Sequence, residues 1–330
     1  MTIPLDSLLC IVVTVVTFAL YNIFIKQYSK RLILLFWVEI ITYLGFTSIY
    51  LFQKVILEKD MTPFEELIYD FTYTNAPFYL LLAICFVGSL LLLDYLLKEF
   101  EISLIAPLSQ ISLLFIAVGN IVLGDPFSPI VMACVFIVFL GALVSSLNKI
   151  TLPNPFAEFK NISPKLAIGV LQYSSLLTAI AMIAYQVTQI TEQTKLIKEW
   201  ATSIFKPLHA FPFHFYHPFY FNIGIRFFIM ICFIFSFYVI EKRKFSEPFV
   251  ALKEDFWFIL KTGLTFFVSV YTYFYAYMNV ADKNILGAMN KLAIPTILIF
   301  GYYLLNEKIK LPKVLGSALI VGGSLLVLFV

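Results

Sequence analysis

Apolar runs of roughly 20 residues recur from one end of this 330-residue chain to the other. At a rise of 1.5 Å per residue, a helix of that length crosses the roughly 30 Å hydrocarbon core of a bilayer. Hydrocarbon offers no partners to free backbone amides, so runs of this length favour helices as the spanning structure. We therefore predict an all-α polytopic membrane protein.

The composition excludes several other classes of protein. The chain is 61% hydrophobic and 13% charged, whereas soluble domains average about 45–50% apolar and about 25% charged residues. A net charge of +3 provides no field for a polyanionic partner, so we expect no nucleic-acid binding. The sequence has no Walker loop, dinucleotide fingerprint, metalloprotease motif or nucleophile elbow, so we expect neither an enzyme nor a cofactor.

Cysteine and histidine placement predicts neither a disulfide framework nor a metal site. Each cysteine falls inside an apolar run, where it behaves as a small buried hydrophobe; the four are Cys10, Cys85, Cys134 and Cys232. The histidines lie in an aromatic loop without nearby carboxylate or cysteine ligands; they are His209, His214 and His217.

Polar punctuation divides the chain into ten predicted spans. They are 4–25, 32–55, 77–97, 102–123, 127–147, 165–189, 218–240, 256–280, 284–304 and 312–330. Two connections are long, an acidic one at 56–76 and another at 190–217. The second has apolar residues at helical spacing, which predicts a short helix in the membrane interface.

An internal repeat is the strongest signal. Residues 103–145 align with 285–327 at an offset of 182. The alignment pairs Gly119 with Gly301, Asp125 with Glu307, and Gly141 with Gly323. A unit with an odd number of helices reverses its orientation when it is repeated. We therefore predict two inverted five-helix repeats, at 1–150 and 151–330, the second with an interfacial insert at about 190–217.

The C-terminal stretch 284–330 resembles the second half of an EamA-type repeat of the drug/metabolite transporter superfamily. The residues that carry the resemblance there are Pro295, Gly301, Asn306, Glu307, Gly316, Gly322 and Gly323. In the first copy they are Ala106, Pro107, Gly119, Gly124, Asp125 and Gly141, and 18–26 is similar to the family's first helix. The resemblance implies a transporter of small molecules that works by alternating access.

Three charged residues lie seven or eight residues inside predicted spans: Glu39, Arg226 and Lys291. A charge at the centre of a span costs at least about 2.5–3.5 kcal/mol, so an intramembrane ion indicates a functional site. On the functional interpretation, Arg226 and Lys291 bind an anionic group of the substrate and Glu39 carries a proton. The alternative is that Arg226 and Glu39 form a permanent structural pair while Lys291 snorkels to the interface.

Uncharged polar residues in the spans extend the candidate substrate-binding set. We include Gln110, Gln172, Gln186, Asn22, Tyr271 and Tyr275. Gln172 and Gln186 belong to a polar stripe of the sixth span, which predicts the wall of a central cavity. The alternatives are interhelical hydrogen bonds of about 0.6 kcal/mol each for the amides and an interfacial belt for the tyrosines.

The distribution of Lys and Arg among the loops predicts which side of the membrane the termini face. Loops on the side of the termini hold six Lys and Arg residues and the opposite loops hold fourteen, which predicts that both termini face out. The family resemblance implies termini that face in.

We predict a secondary transporter, an exporter of a small organic anion or zwitterion such as an amino acid, in a bacterial inner membrane. The expected partners are this substrate and the lipid bilayer, and proton coupling and a homodimer remain open. Alternatives are a flippase for a phosphorylated lipid-linked sugar and a non-transporting membrane scaffold or partner subunit.

Overall fold

The computed structural model describes residues 4–57, 76–100, 129–145, 163–188, 218–240, 246–279 and 292–326, with single positions at 105, 109, 112, 115, 147, 242, 244 and 290. Every regular element within these residues is a helix. The predicted insert at 190–217 lies outside the described residues, and the predicted span 102–123 is described at only four positions.

Ten helices are described, and all except the short α7 coincide with predicted spans. They are α1 (Leu5–Gln27), α2 (Arg31–Leu51), α3 (Ala76–Glu99), α4 (Pro129–Ser145), α5 (Pro164–Thr188), α6 (Pro218–Phe235), α7 (Glu247–Glu254), α8 (Phe256–Asn279), α9 (Ala293–Leu305) and α10 (Leu311–Leu326). A π-helical turn continues α2 at Phe52–Leu57 and another continues α6 at Ser236–Ile240.

Four of the described segments are long and apolar enough to cross a membrane: Leu5–Gln27, Arg31–Val55, Tyr79–Glu99 and Asn222–Val239. Shorter apolar helices occur at Met132–Ser145, Ala293–Leu305 and Leu311–Leu326. The prediction of an all-α polytopic membrane protein is confirmed.

Cations hold the ends of the first three helices together. The Lys26 ammonium donates to the carbonyl oxygens of Leu97 and Phe100 at 2.7 and 2.8 Å. Arg31 donates through Nε to the carbonyl of Ile25 at 3.2 Å. Carbonyls at a helix C-terminus lack intrahelical donors and carry partial negative charge. The two cations therefore cap α3 and α1, and fix the turn into α2.

The helix pairs follow the symmetry of an inverted repeat. Helix α1 packs on α8 and α5 packs on α3, while α2 packs on α8 and α6 packs on α3. Helix α2 also packs on α6, and α4 on α10. This set of pairs is unchanged when α1, α2, α3 and α4 are exchanged with α5, α6, α8 and α10. Two inverted repeats require that invariance.

Close contacts between α4 and α10 reproduce the offset of 182 at the level of single residues. A Cβ atom on Gly141 would lie 2.7 Å from the carbonyl oxygen of Gly316, and one on Gly323 would lie 3.0 Å from that of Cys134. Adding 182 to 141 and 134 gives 323 and 316, so the two contacts exchange under the repeat. Glycine at these crossings lets two helix backbones approach closely.

We predict that Gly316→Ala lowers thermal stability, because its methyl group would overlap Ser145 Oγ and the carbonyl oxygen of Gly141. Overpacking of this kind costs about 1–3 kcal/mol. Gly322→Ala on the same helix is the matched control, since no atom lies within 4 Å of its Cβ position. Equal melting temperatures for both variants in detergent would contradict the close packing of α4 on α10.

Candidate functional site

The centre of the site is an ion pair between Glu39 of α2 and Arg226 of α6. Arg226 Nη1 donates to Glu39 Oε2. The Glu39 side chain is 0% exposed and that of Arg226 is 6% exposed. Helices α2 and α6 pack on each other, and they are the corresponding helices of the two predicted repeats, so the pair lies where those repeats would meet.

Aromatic rings surround the guanidinium. Its central carbon lies 5.2 Å from the ring centroid of Phe266 on α8 and 5.9 Å from that of Phe46 on α2. The ring of Tyr21 on α1 lies 4.3 Å from that of Phe266. Ring faces attract cations and exclude water. Four helices thus supply a dry, aromatic enclosure for two opposite charges.

Two buried atoms of the pair have no hydrogen-bond partner in the described part of the chain. They are Glu39 Oε1 and Arg226 Nε. A buried polar atom without a partner costs about 1–3 kcal/mol, and such atoms are rare in folded proteins. Glu39 Oε1 can therefore accept a further hydrogen bond, and Arg226 Nε can donate one.

Three of the predicted site residues cannot be placed relative to the pair. Lys291 and Gln110 lie outside the described residues. Gln186 belongs to α5, but its side chain is outside the described part of the structure.

One predicted tyrosine borders the pair, and another tyrosine and an asparagine are engaged elsewhere. The ring of Tyr271 lies 6.4 Å from that of Phe46, which itself faces Arg226. Tyr275 donates its hydroxyl to Asp6 Oδ2 at 2.8 Å. Asn22 donates its amide back to the carbonyl of Phe18 on its own helix, at 2.8 Å.

The structure splits the predicted polar stripe of α5. Gln172 and Ser175 are exposed on the outside of the described bundle, whereas Thr178 is buried and donates to the carbonyl of Ser112 at 3.4 Å. A step of three residues turns a helix by 300°, so two such steps move the side chain 120° around the axis. Gln172 therefore lies on a different face of α5 from Thr178.

Sequence reasoning missed a second charged cluster, centred on Asp94 of α3. The Asp94 side chain is 4% exposed and pairs with Arg31 at 3.5 Å and with Lys98 at 2.7 Å. Its position near the end of a predicted span concealed its burial, although the i,i+4 spacing of Asp94 and Lys98 is a readable signal for the pair.

A hydrogen bond between a tyrosine and an aspartate also holds this end of the bundle. Tyr28 donates its hydroxyl to Asp255 Oδ2 at 2.7 Å. Burial, followed by this hydrogen bond, raises the pKa of Tyr28 above its ordinary value. The hydroxyl therefore remains a donor throughout the neutral range, and it ties the α1–α2 turn to the junction of α7 and α8.

A comparison with known protein families finds a match to this sequence. Residues 196–329 match the model of the EamA-like transporter family, which belongs to the drug/metabolite transporter superfamily. This part of the chain is similar to an EamA-like transporter domain. It contains α6 with Arg226, and α8 with Phe266. A search of the curated proteins finds no significant match. The protein is a multi-pass membrane protein, and the matching family is one of transporters.

We predict that Arg226→Ala destabilises the protein by about 3–5 kcal/mol, because it leaves the Glu39 carboxylate buried without a counter-charge. Glu39→Leu should cost a similar amount. The double variant Arg226→Ala with Glu39→Leu should cost clearly less than the two single changes together. Thermal unfolding in detergent measures this coupling, and strictly additive losses would show that the pair contributes no joint stabilisation.

Proposed function

We propose that the protein is a secondary transporter that exports a small zwitterion or organic anion by alternating access. The observation that carries the proposal is the buried pair of Glu39 and Arg226, which joins the two halves and has an unpartnered atom on each side chain. Transporters built from inverted repeats bind substrate where the repeats meet.

The location of the pair links binding to motion. Glu39 moves with α2 and Arg226 moves with α6. A rocking movement of one half against the other therefore changes the distance between the two charges. A buried ion pair whose members separate is unfavourable unless other groups replace the lost partners. A bound substrate can supply those groups, so occupancy and rocking are coupled.

The chemistry of the pair favours a zwitterion. A guanidinium binds a carboxylate through two parallel hydrogen bonds, so the substrate carboxylate would take Arg226. The substrate ammonium would take Glu39. A proton and the ammonium then compete for the same carboxylate, which gives the exchange of proton for substrate that an exporter needs. An organic anion without an ammonium group would use Arg226 alone.

We expect the amino acid or organic anion that the protein carries to raise the melting temperature of the purified transporter. A ligand at 100 times its dissociation constant stabilises the folded state by about 2.7 kcal/mol. The panel comprises amino acids, organic anions, sugar nucleotides, lipid phosphates and organic cations, tested on wild type, Arg226→Lys and Glu39→Gln. Lys261→Gln is the control, because Lys261 is exposed and lies over the rings of Phe24 and Phe258, away from the pair.

The results of this panel distinguish a transporter from a flippase and from a scaffold. A zwitterion that stabilises wild type and Lys261→Gln, but neither pair variant, supports the proposal. That ligand should then exchange against a proton gradient in proteoliposomes, with Glu39→Gln losing the dependence on the gradient. Stabilisation by lipid phosphates alone would favour the flippase. If no ligand acts and the pair variants only melt earlier, the pair is structural and the protein is a scaffold.

A further inference from the structure

A groove on the outer surface of the described bundle lies between α3 and α5. Its volume is about 710 Å³. Gly88, Leu91 and Tyr95 line it from α3, and Leu171, Gln172 and Ser175 line it from α5. Tyr95 is 41% exposed and Leu171 is 46% exposed. In a membrane, such a groove opens sideways into lipid.

Gly88 makes the groove deep. A Cβ atom at this position would meet only the Leu176 Cδ1 atom, at 3.6 Å, which is ordinary van der Waals contact. At other helix crossings a Cβ atom on glycine would collide, as between Gly169 and Leu96 at 2.8 Å. The space above Gly88 is thus not needed for helix packing. It has the shape of a slot for an acyl chain, bordered by leucines.

The amide of Gln172 needs a partner that the described residues do not supply. Gln172 lies eight residues after Pro164, about 12 Å along α5. An amide at that depth costs several kcal/mol in hydrocarbon when it has no hydrogen bond. Ser175 has no such need, because its hydroxyl donates to the carbonyl of Leu171 at 2.8 Å.

Charged side chains lie near one end of the groove, at the C-terminus of α3 and the N-terminus of α5. Lys165 is exposed two helical turns before Gln172, and Lys98 is exposed beside Tyr95. Among the described residues, the acidic groups there are Glu99, which is exposed, and Asp94, which is neutralised by Arg31 and Lys98. Positive charge is therefore in excess where a lipid phosphate would lie.

The side chain of Gln172 tilts towards the Lys165 end of α5. Side chains of a helix tilt towards its N-terminus, and the N-terminus of α5 is the Lys165 end. The Gln172 amide therefore reaches from its backbone depth towards the headgroup region. In a phospholipid, the ester carbonyls lie between the phosphate and the acyl chains. They are therefore hydrogen-bond acceptors at the depth that the Gln172 amide reaches.

We propose that the groove between α3 and α5 binds one phospholipid molecule. Lys165 and Lys98 hold its phosphate, the Gln172 amide donates to an ester carbonyl, and an acyl chain lies along Leu91 and Leu171 as far as Gly88. This site is independent of the proposed transport function, because none of these side chains contacts Glu39 or Arg226 in the described structure.

Binding of palmitoyl-oleoyl phosphatidylglycerol to delipidated full-length protein in detergent, followed by native mass spectrometry, tests the proposal. We expect one saturable lipid per chain in the wild type. Gly88→Leu should abolish it by filling the slot, and Gln172→Leu should weaken it by about tenfold, the effect of one well-placed hydrogen bond. Ser175→Ala should bind as the wild type does, because that hydroxyl is satisfied within α5.

Lipid-free melting temperatures separate lost binding from lost folding. If Gly88→Leu unfolds the protein, Gln172→Leu carries the test alone. Unchanged lipid binding in Gln172→Leu, or equal binding of glycerol phosphate without acyl chains, would overturn the proposal. Binding of several lipids at once with no effect of either substitution would show only a general lipid coat.

Discussion

Two charges within the membrane-spanning helices govern the centre of this protein. The carboxylate of Glu39 and the guanidinium of Arg226 are both withdrawn from water, and hydrocarbon cannot solvate either of them. They stabilise a buried position only in contact with each other, which requires α2 and α6 to pack side by side. Because α2 and α6 also pack on α8 and α3, the placement of this pair constrains much of the described bundle.

The packing of α4 on α10 differs from that centre, because it is made by close backbone contact and not by charge. Gly141, Gly316 and Gly323 bring two backbones into close contact with no charge involved. Such contacts depend on shape and tolerate little added volume. The protein thus combines a rigid apolar contact in one part of the bundle with a polar contact at the α2–α6 interface. Of these two contacts, only the polar one offers groups that can exchange partners, and the proposed function rests on it.

Much of the architecture is readable from the chain. The spans follow from the length of the apolar runs, and the offset of 182 read from the sequence also relates the two glycine contacts between α4 and α10. Charge within apolar runs is enough to identify Glu39 and Arg226 as candidates. The aromatic enclosure was not predictable, because Phe46 and Phe266 are two of 36 phenylalanines in a chain that is apolar nearly everywhere. Asp94 was missed because, although its i,i+4 spacing from Lys98 is readable, the contact with Arg31 of another helix is not.

The sequence by itself determined that the chain spans a membrane as helices, because hydrocarbon imposes that solution on apolar runs of this length. The offset of 182 between similar segments also predicts an inverted repeat. Only the tertiary structure decided which polar residues share a space. Gln172 and Thr178 belong to one apparent stripe, yet the first is exposed in a groove and the second donates to the Ser112 carbonyl. The physical reason is that the direction of a helical side chain depends on the helical period, whereas its neighbour depends on which helix packs there.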